Sequence, residues 1–347
     1  LPEELYNITL VLLDSDNEYA YRLKKNVNIV QLTFNSSFAK SLVSMYAFPA
    51  KVLKKLSVNS FIAYYDFISN CVTNVFEKTY DIAIDFYGYG SFVTAFLATK
   101  IQAKKKATWL HDEKPYWMKS VQKYLCEYDK IYGVSQAVVD AFCREYPHYK
   151  DKAAVFYNVI DIEEIKRKSE QDEIIPFKES FNIVTVGRLT EQKGYDIAIK
   201  AASILKKRKI NFAWYAIGGG RDEKKLKKLV EKYCLENQFV FLGRKKNPYP
   251  YMKHCDLYVQ PSRHEGYVIT LVEARALCLP ILSSDIPSAR EQIQDGINGY
   301  VAELSAEDLA DKIEYLYNNP SQRKKTVEYL KEHPIDFSTE LLKLEII

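Results

Sequence analysis

From residue 181 onward the chain alternates between short β-rich runs and helical patterns: "FNIVTVG", a helix, "NFAWYAIGGG", a helix, "FVFLG", "DLYVQPS", a helix, "PILSSD", "NGYVAEL" and a final helix. Strands that alternate with helices in this way build a parallel sheet covered by helices. The same rhythm occurs earlier. There "DIAIDF" precedes "SFVTAFLATK", "KKATWL" precedes "PYWMKSVQKYL", "KIYGVS" precedes "QAVVDAFCREY", and "AAVFYNV" closes the series. Between the two series lies "DIEEIKRKSEQDEIIPFKES", a charged stretch with a proline and no apolar period, which reads as a linker. The 347 residues exceed what one hydrophobic core usually organises. Two α/β domains are therefore expected, residues 1–172 and 173–322, followed by a helical segment, 323–347, that packs back on the first. Open α/β sheets bind ligands at the carboxyl ends of their strands, so a cleft between the two domains is the expected site.

Several function classes are set aside by what the sequence lacks. No apolar run approaches the roughly eighteen residues that would span a bilayer. The opening "LPEELYNITLVLL" carries neither a basic leader nor a small-residue cleavage site, so it is not read as a signal peptide. Six cysteines are scattered without a C-x-x-C pair, mostly inside apolar segments, which favours buried reduced thiols and a cytoplasmic setting over disulfides or zinc. A net charge of +4 is too small to imply a nucleic-acid partner. The groups Lys51, Lys54, Lys55 and Lys104, Lys105, Lys106 read as solvated surface, with peripheral contact to an acidic membrane face as the alternative. The aromatic stripes of "FAKSLVSMYAFPAKVLKKL" and "FIAYYDFISNCVTNVFEK" read as core.

Three strand ends in the second half open into loops suited to chemistry. "VTVGRLTEQKGYDIAI" sets Gly187, Arg188, Lys193 and Gly194 at a helix entrance, where backbone N–H groups already favour an anion, and two cations there suit a diphosphate. "AIGGGRDEKKL" brings Gly218, Gly219 and Gly220, which allow a ligand close to the backbone, although a glycine turn ahead of Asp222 as N-cap explains them equally well. "SRHEGYVITLVEARAL" puts Glu265 in a loop and Glu273 in the first turn of a helix that begins near Ile269 or Thr270. The N–H groups of Ile269, Thr270 and Leu271 would hold phosphate oxygens, yet carboxylates beside phosphate repel it. A nucleotide sugar resolves the conflict, because its diphosphate can sit on the helix end while ribose and sugar hydroxyls donate to the acids.

At these residues the chain resembles a known family. "EGYVITLVEARAL" is similar to the E-x7-E signature of retaining family 4 glycosyltransferases of the GT-B fold, and "VGRLTEQKG" resembles their G-R-L…K-G phosphate loop. "SSDIPSAREQIQDGINGYV" is similar to the family's D-x-P…E-x-x-x-D-G-x-N-G segment, and the likeness is good over residues 181 to 320. In the first half it is thinner, carried by "WLHDE", "YGVSQAVVDAF" and "FYNVIDIEEI". The resemblance implies two Rossmann-like domains facing each other across a cleft. It implies transfer of a sugar from a nucleoside diphosphate, a UDP-sugar being the expected donor, to a saccharide or lipid-linked saccharide with retention. The setting it suggests is bacterial surface-polysaccharide synthesis at the inner membrane face, with no cofactor and no metal.

By the same resemblance Arg188 and Lys193 bind the diphosphate and Glu273 the ribose hydroxyls, while Glu265 holds the transferred sugar. His111, at the end of "ATWL", faces that sugar. His264, which adjoins Glu265, is on its own position expected to be structural or peripheral. Loops around Gly219, Arg244 and Tyr267 decide which base and sugar are recognised. The resemblance also implies a first strand, glycine-rich loop and helix ahead of Leu1. Val268 stands where Gly or Pro is frequent in the family, Ser288 where glycine is common, and "GGG" where an Asp often lies between glycines.

Other readings compete. Asp14 and Asp16 in "LVLLDSDNEY" form the Asp-x-Asp of a metal-dependent transferase, but they duplicate a task that Arg188, Lys193 and the helix end already cover. "DFYGYGSFV" gives Gly88 and Gly90 but Val93 where a dinucleotide fingerprint needs a third glycine. A nucleotide-sugar 2-epimerase and a silent glycosyltransferase-like binding subunit share the expected architecture.

Overall fold

The computed structural model describes residues 6–13, 27–35, 37, 58–74, 76, 78–88, 92–171, 173 and 177–343. They fall into two compact units, one within residues 1–109 and 115–132, the other within 110–114 and 133–346. Asp14, Asp16, Gly90, Lys51, Lys54 and Lys55 lie outside the described residues.

In the first unit β1 (Ile8–Leu12) and β2 (Val27–Gln31) form a parallel pair. β3 (Tyr80–Asp85), β4 (Ala103–Leu110) and β5 (Lys130–Gly133) lie side by side in that order. The fully buried carboxylate of Asp85 accepts from Thr94 Oγ1 at 2.7 Å, Thr108 Oγ1 at 2.9 Å and the Gly88 N–H at 2.9 Å. The loop after β3 is thereby fastened to its own strand. Lys104 pairs with Asp81 at 2.6 Å and Lys105 with Asp129 at 3.6 Å, so two charges of that basic run already have acidic neighbours.

One element there differs from its sequence pattern. "PYWMKSVQKYL" reads as an α-helix, but Pro115–Ser120 and Gln122–Glu127 are 3-10 turns joined at Val121. Met118, Val121 and Tyr124 are all buried and recur every third residue, which lines them up on one side of a 3-10 helix.

The second unit holds β6 (Ala153–Val155) and β7 (Phe181–Val186), β8 (Phe212–Ile217), β9 (Phe239–Gly243), β10 (Leu257–Gln260), β11 (Ile281–Ser284) and β12 (Tyr300–Ala302). The last six form one parallel sheet in the order β12-β11-β10-β7-β8-β9. Strand β8 explains why both faces are covered: Phe212, Trp214 and Ala216 enter one apolar cluster, while Ala213, Tyr215 and Ile217 enter the other. The helix Tyr195–Lys207 closes one face with Ala198, Ala201, Ala202 and Leu205, the 3.6-residue spacing of an inward stripe. The chain order reverses between β7 and β10. Loops leaving the carboxyl ends of those two neighbours diverge there and leave a crevice, the place where doubly wound sheets hold ligands.

The stretch that reads as a linker contains the helix Ile162–Ser169, whose start is capped by Asp161 accepting from the Glu164 N–H at 2.8 Å. Acids in its first turn and bases in its last oppose the helix dipole favourably, a signal present in "DIEEIKRKS". Near the chain end, Glu340 in the helix Ser338–Leu342 accepts from the Tyr157 N–H at 3.0 Å and pairs with Lys343 at 2.7 Å. All six cysteines are free thiols, as expected, but only Cys71 and Cys255 are buried.

Candidate active site

The loop after β7 runs through Gly187 and Arg188 into a single 3-10 turn, Glu191–Lys193, and then into the helix Tyr195–Lys207. Gly194 makes the junction at φ 66°, and a Cβ there would stand 1.8 Å from the Pro261 carbonyl oxygen. Only glycine fits that conformation and that approach. The contact brings the β7 loop against the loop after β10, and Lys193 Nζ reaches Glu265 Oε1 at 2.6 Å with both side chains largely buried.

Around this pair the β10 loop is tied down by buried polar groups. Ser262 Oγ donates to Glu265 Oε1 at 2.6 Å, and Ser288 Oγ donates to the Glu265 carbonyl at 3.0 Å. Ser288, which stands where the family often has glycine, therefore holds the loop from the helix Pro287–Arg290. Gly266 lies so close to the His111 carbonyl that an added Cβ would be 1.9 Å away. His111 thus sits beside the Glu265 loop within the same compact unit. His264 lies 4.0 Å from Asp112, and its carbonyl accepts from Gln192 Nε2 at 3.0 Å. Burial holds His264 below its ordinary pKa. Glu113 is pushed upward, first by burial and then by Asp112 and Glu265.

The helix starting at Ile269 ends at Ala276, so Glu273 is its fifth residue and lies in the second turn, not the first. Its carboxyl is raised from 4.5 to about 7 by burial, against which the Tyr249 hydroxyl, donating at 3.0 Å, and the charges of Lys168 and Lys193 pull downward. The helix end offers fewer donors than the sequence suggests. The Ile269 N–H bonds the Tyr267 carbonyl and the Leu271 N–H the Val268 carbonyl, each at 3.0 Å. Among the described residues the Thr270 N–H is the one of the three without a backbone acceptor. The Thr270 hydroxyl is engaged with Gln260 Oε1 at 2.8 Å.

The glycine run is bound to the β7 loop: the Leu189 N–H donates to the Gly219 carbonyl and the Asp222 N–H to the Leu189 carbonyl, each at 3.1 Å. Asp222 caps the next helix by position, with no side-chain bond. The exposed Arg244 passes over Gly219, whose added Cβ would stand 3.0 Å from its Nε. Arg188, two residues past the end of β7, is exposed. Tyr267 packs on Tyr157, ring centroids 5.5 Å apart, and burial pushes its hydroxyl up to about 12.

The structure thus brings Gly187, Lys193, Glu265 and the His111 backbone together at the β7–β10 crevice. Gly219 and Arg244 join from β8 and β9, and Glu273 from the helix behind. Sequence reasoning missed Tyr249, Lys168, Glu113, Gln260 and Ser262. The capped helix pattern around Lys168 was a usable signal; the others depend on which strands are neighbours. Among the described residues no cluster of three or more His, Cys, Asp or Glu could hold a metal ion, and no helix is long and apolar enough to cross a membrane.

A doubly wound sheet with a loaded switch point, following a separate strand-containing unit, is the GT-B fold. Anabaena HepE, solved in complex with UDP and glucose, superposes with a TM-score of 0.71 at 18% identity, covering 97% of this chain and 90% of that one. Residues 166–333 match the family described as Glycosyl transferases group 1. An uncharacterized glycosyltransferase of Methanocaldococcus jannaschii is 33% identical over 172 residues, 48% of this chain and 40% of its own length. The N-acetylgalactosamine-N,N'-diacetylbacillosaminyl-diphospho-undecaprenol 4-alpha-N-acetylgalactosaminyltransferase of Campylobacter jejuni is 30% identical over 184 residues, 50% of this chain and 49% of its own. The chain spans about half the length of these curated relatives.

Proposed function

We propose that the protein transfers a hexose or related sugar from a nucleoside diphosphate, with UDP the expected carrier, to a hydroxyl of a saccharide or lipid-linked saccharide. The observation that carries this reading is the Lys193–Glu265 pair, 2.6 Å apart at the β7–β10 switch point, with the exposed Arg188 earlier in the same loop and the half-buried Glu273 within reach of the Lys193 charge. The HepE complex with UDP and glucose supports the donor class, and the name of the Campylobacter relative supports a lipid-linked acceptor. Retention of configuration, a place in surface-polysaccharide synthesis at the cytoplasmic membrane face, and independence of metal all rest on the family resemblance.

In this reading the chemistry is charge management. As the bond to the diphosphate breaks, negative charge grows on the leaving phosphate and positive charge on the sugar ring. Arg188, Lys193 and the Thr270 N–H stabilise the first. Glu265 lies beside the second and takes hydrogen bonds from sugar hydroxyls. Glu273, ionised, accepts from the ribose diol. Loss of one donor to the leaving phosphate costs on the order of 3 kcal/mol, about a hundredfold in rate.

The test begins with a thermal-shift screen against UDP, GDP and ADP and continues with incubation of the matching sugar donor and acceptors while anomeric proton signals are followed. The expected outcome is a UDP-dependent shift and a product with the donor's anomeric configuration, unaffected by a chelator. A 2-epimer, an inverted product, or loss of activity on chelation would overturn the corresponding part of the reading.

A further inference from the structure

Glu265 Oε1 receives two bonds of 2.6 Å, from Lys193 Nζ and from Ser262 Oγ. Behind Ser262 the bonds continue: Gln260 Nε2 donates to Ser262 Oγ at 2.7 Å, and Gln260 Oε1 accepts from Tyr258 at 2.7 Å and Thr270 Oγ1 at 2.8 Å. Tyr258, Gln260 and Ser262 are fully buried and Glu265 is 7% exposed. The three alternate along β10 and its continuation, so they share one face and form a row leading to the strand's carboxyl end.

The direction of every bond in the row is forced. An ionised carboxylate only accepts, so Ser262 gives its hydroxyl hydrogen to Glu265. Its oxygen is then open to the amide NH2 of Gln260, whose carbonyl must face the two remaining hydroxyls. Oε2 of Glu265 carries no hydrogen bond among the described residues, and the side chain keeps 9% of its surface accessible.

We propose that Ser262, oriented by Gln260, is a positioning residue that fixes the Glu265 carboxylate with Oε2 turned toward the donor sugar. This rests on the reading that Glu265 meets the transferred sugar. A terminal carboxylate torsion is broad and two-fold, so without a second anchor the group turns. Lys193 cannot be that anchor alone, because its ammonium is a point charge that an arriving diphosphate shares. Ser262 is the donor that stays on Oε1 throughout.

The experiment measures kcat and KM for the donor, and UDP affinity by calorimetry, in the full chain and in Ser262→Ala, Glu265→Gln and the double variant. Ser262→Ala is expected to lower kcat about tenfold, the loss of one hydrogen bond to a charged group. UDP affinity should stay within about twofold, since the reading places the nucleotide on Arg188, Lys193, the Thr270 N–H and Glu273 and none of these bonds Ser262, and in the Glu265→Gln background the same change should cost less than about twofold in kcat. Ser262→Cys, which nearly keeps the volume but donates weakly, gives the same comparison where the alanine variant does not fold. An unchanged kcat in Ser262→Ala, or an equal loss in both backgrounds, overturns the proposal while the sugar-site reading stands. A wild-type protein inert toward every donor, or a Glu265→Gln variant as active as wild type, overturns that reading and this inference with it.

Discussion

Glu273→Gln tests the energetics of the site most directly. In the folded protein the Glu273 carboxyl is raised from 4.5 to about 7, and burial is the main cause. Between those two values the folded chain keeps a proton that the unfolded chain has released, so stability falls as pH rises from about 4.5 and levels off above about 7. At about 1.4 kcal/mol per pH unit, the wild type should lose roughly 2.5 kcal/mol from this group between about pH 5 and pH 8. Glutamine keeps an oxygen to accept from the Tyr249 hydroxyl, at 3.0 Å in the wild type, and carries no charge to desolvate. Urea unfolding of both proteins across that range isolates the effect, because subtracting the two curves cancels the other titrating groups. The variant should gain on the wild type by roughly 2.5 kcal/mol toward high pH. A difference that stays flat, or that widens toward low pH, would refute a desolvated Glu273.

Lys193→Ala removes the cation from a buried pair and leaves Glu265 with Ser262 as its donor, so stability should fall by about 3 kcal/mol and turnover by about a hundredfold. A thermal melt and a donor-turnover assay check both, and wild-type values for either would remove Lys193 from that part. Gly194→Ala forces a side chain into φ 66° and against the Pro261 carbonyl. It should cost more than about 3 kcal/mol in urea unfolding, and a loss under about 0.5 kcal/mol would show that the two loops are not locked there.

The strands and most helices of the second half were legible because alternation is local: whether Trp214 or Tyr215 points to a given face depends on its own backbone, and residue type records that choice. The order of the phosphate-type loop, the glycine run and the Glu265–Glu273 segment was legible for the same reason. Pro115–Glu127 was not, since an apolar residue every three or four positions suits an α-helix and a 3-10 helix alike until the packing selects one. The helix Ile162–Ser169 was obscured by its charge, although its capping pattern was present in the sequence.

The sequence by itself determined that two α/β series would form and that cations and acids would follow particular strands. Only the tertiary structure decided that β7 and β10 are neighbours, and hence that Lys193 would close on Glu265 across 72 residues of chain. It alone set the half-buried Glu273 next to Tyr249 and set Tyr258, Gln260 and Ser262 in a row behind the carboxylate. The physical reason is that a charged or polar side chain has no fixed meaning until its neighbours and its access to water are known, and both are set by parts of the chain far away in sequence.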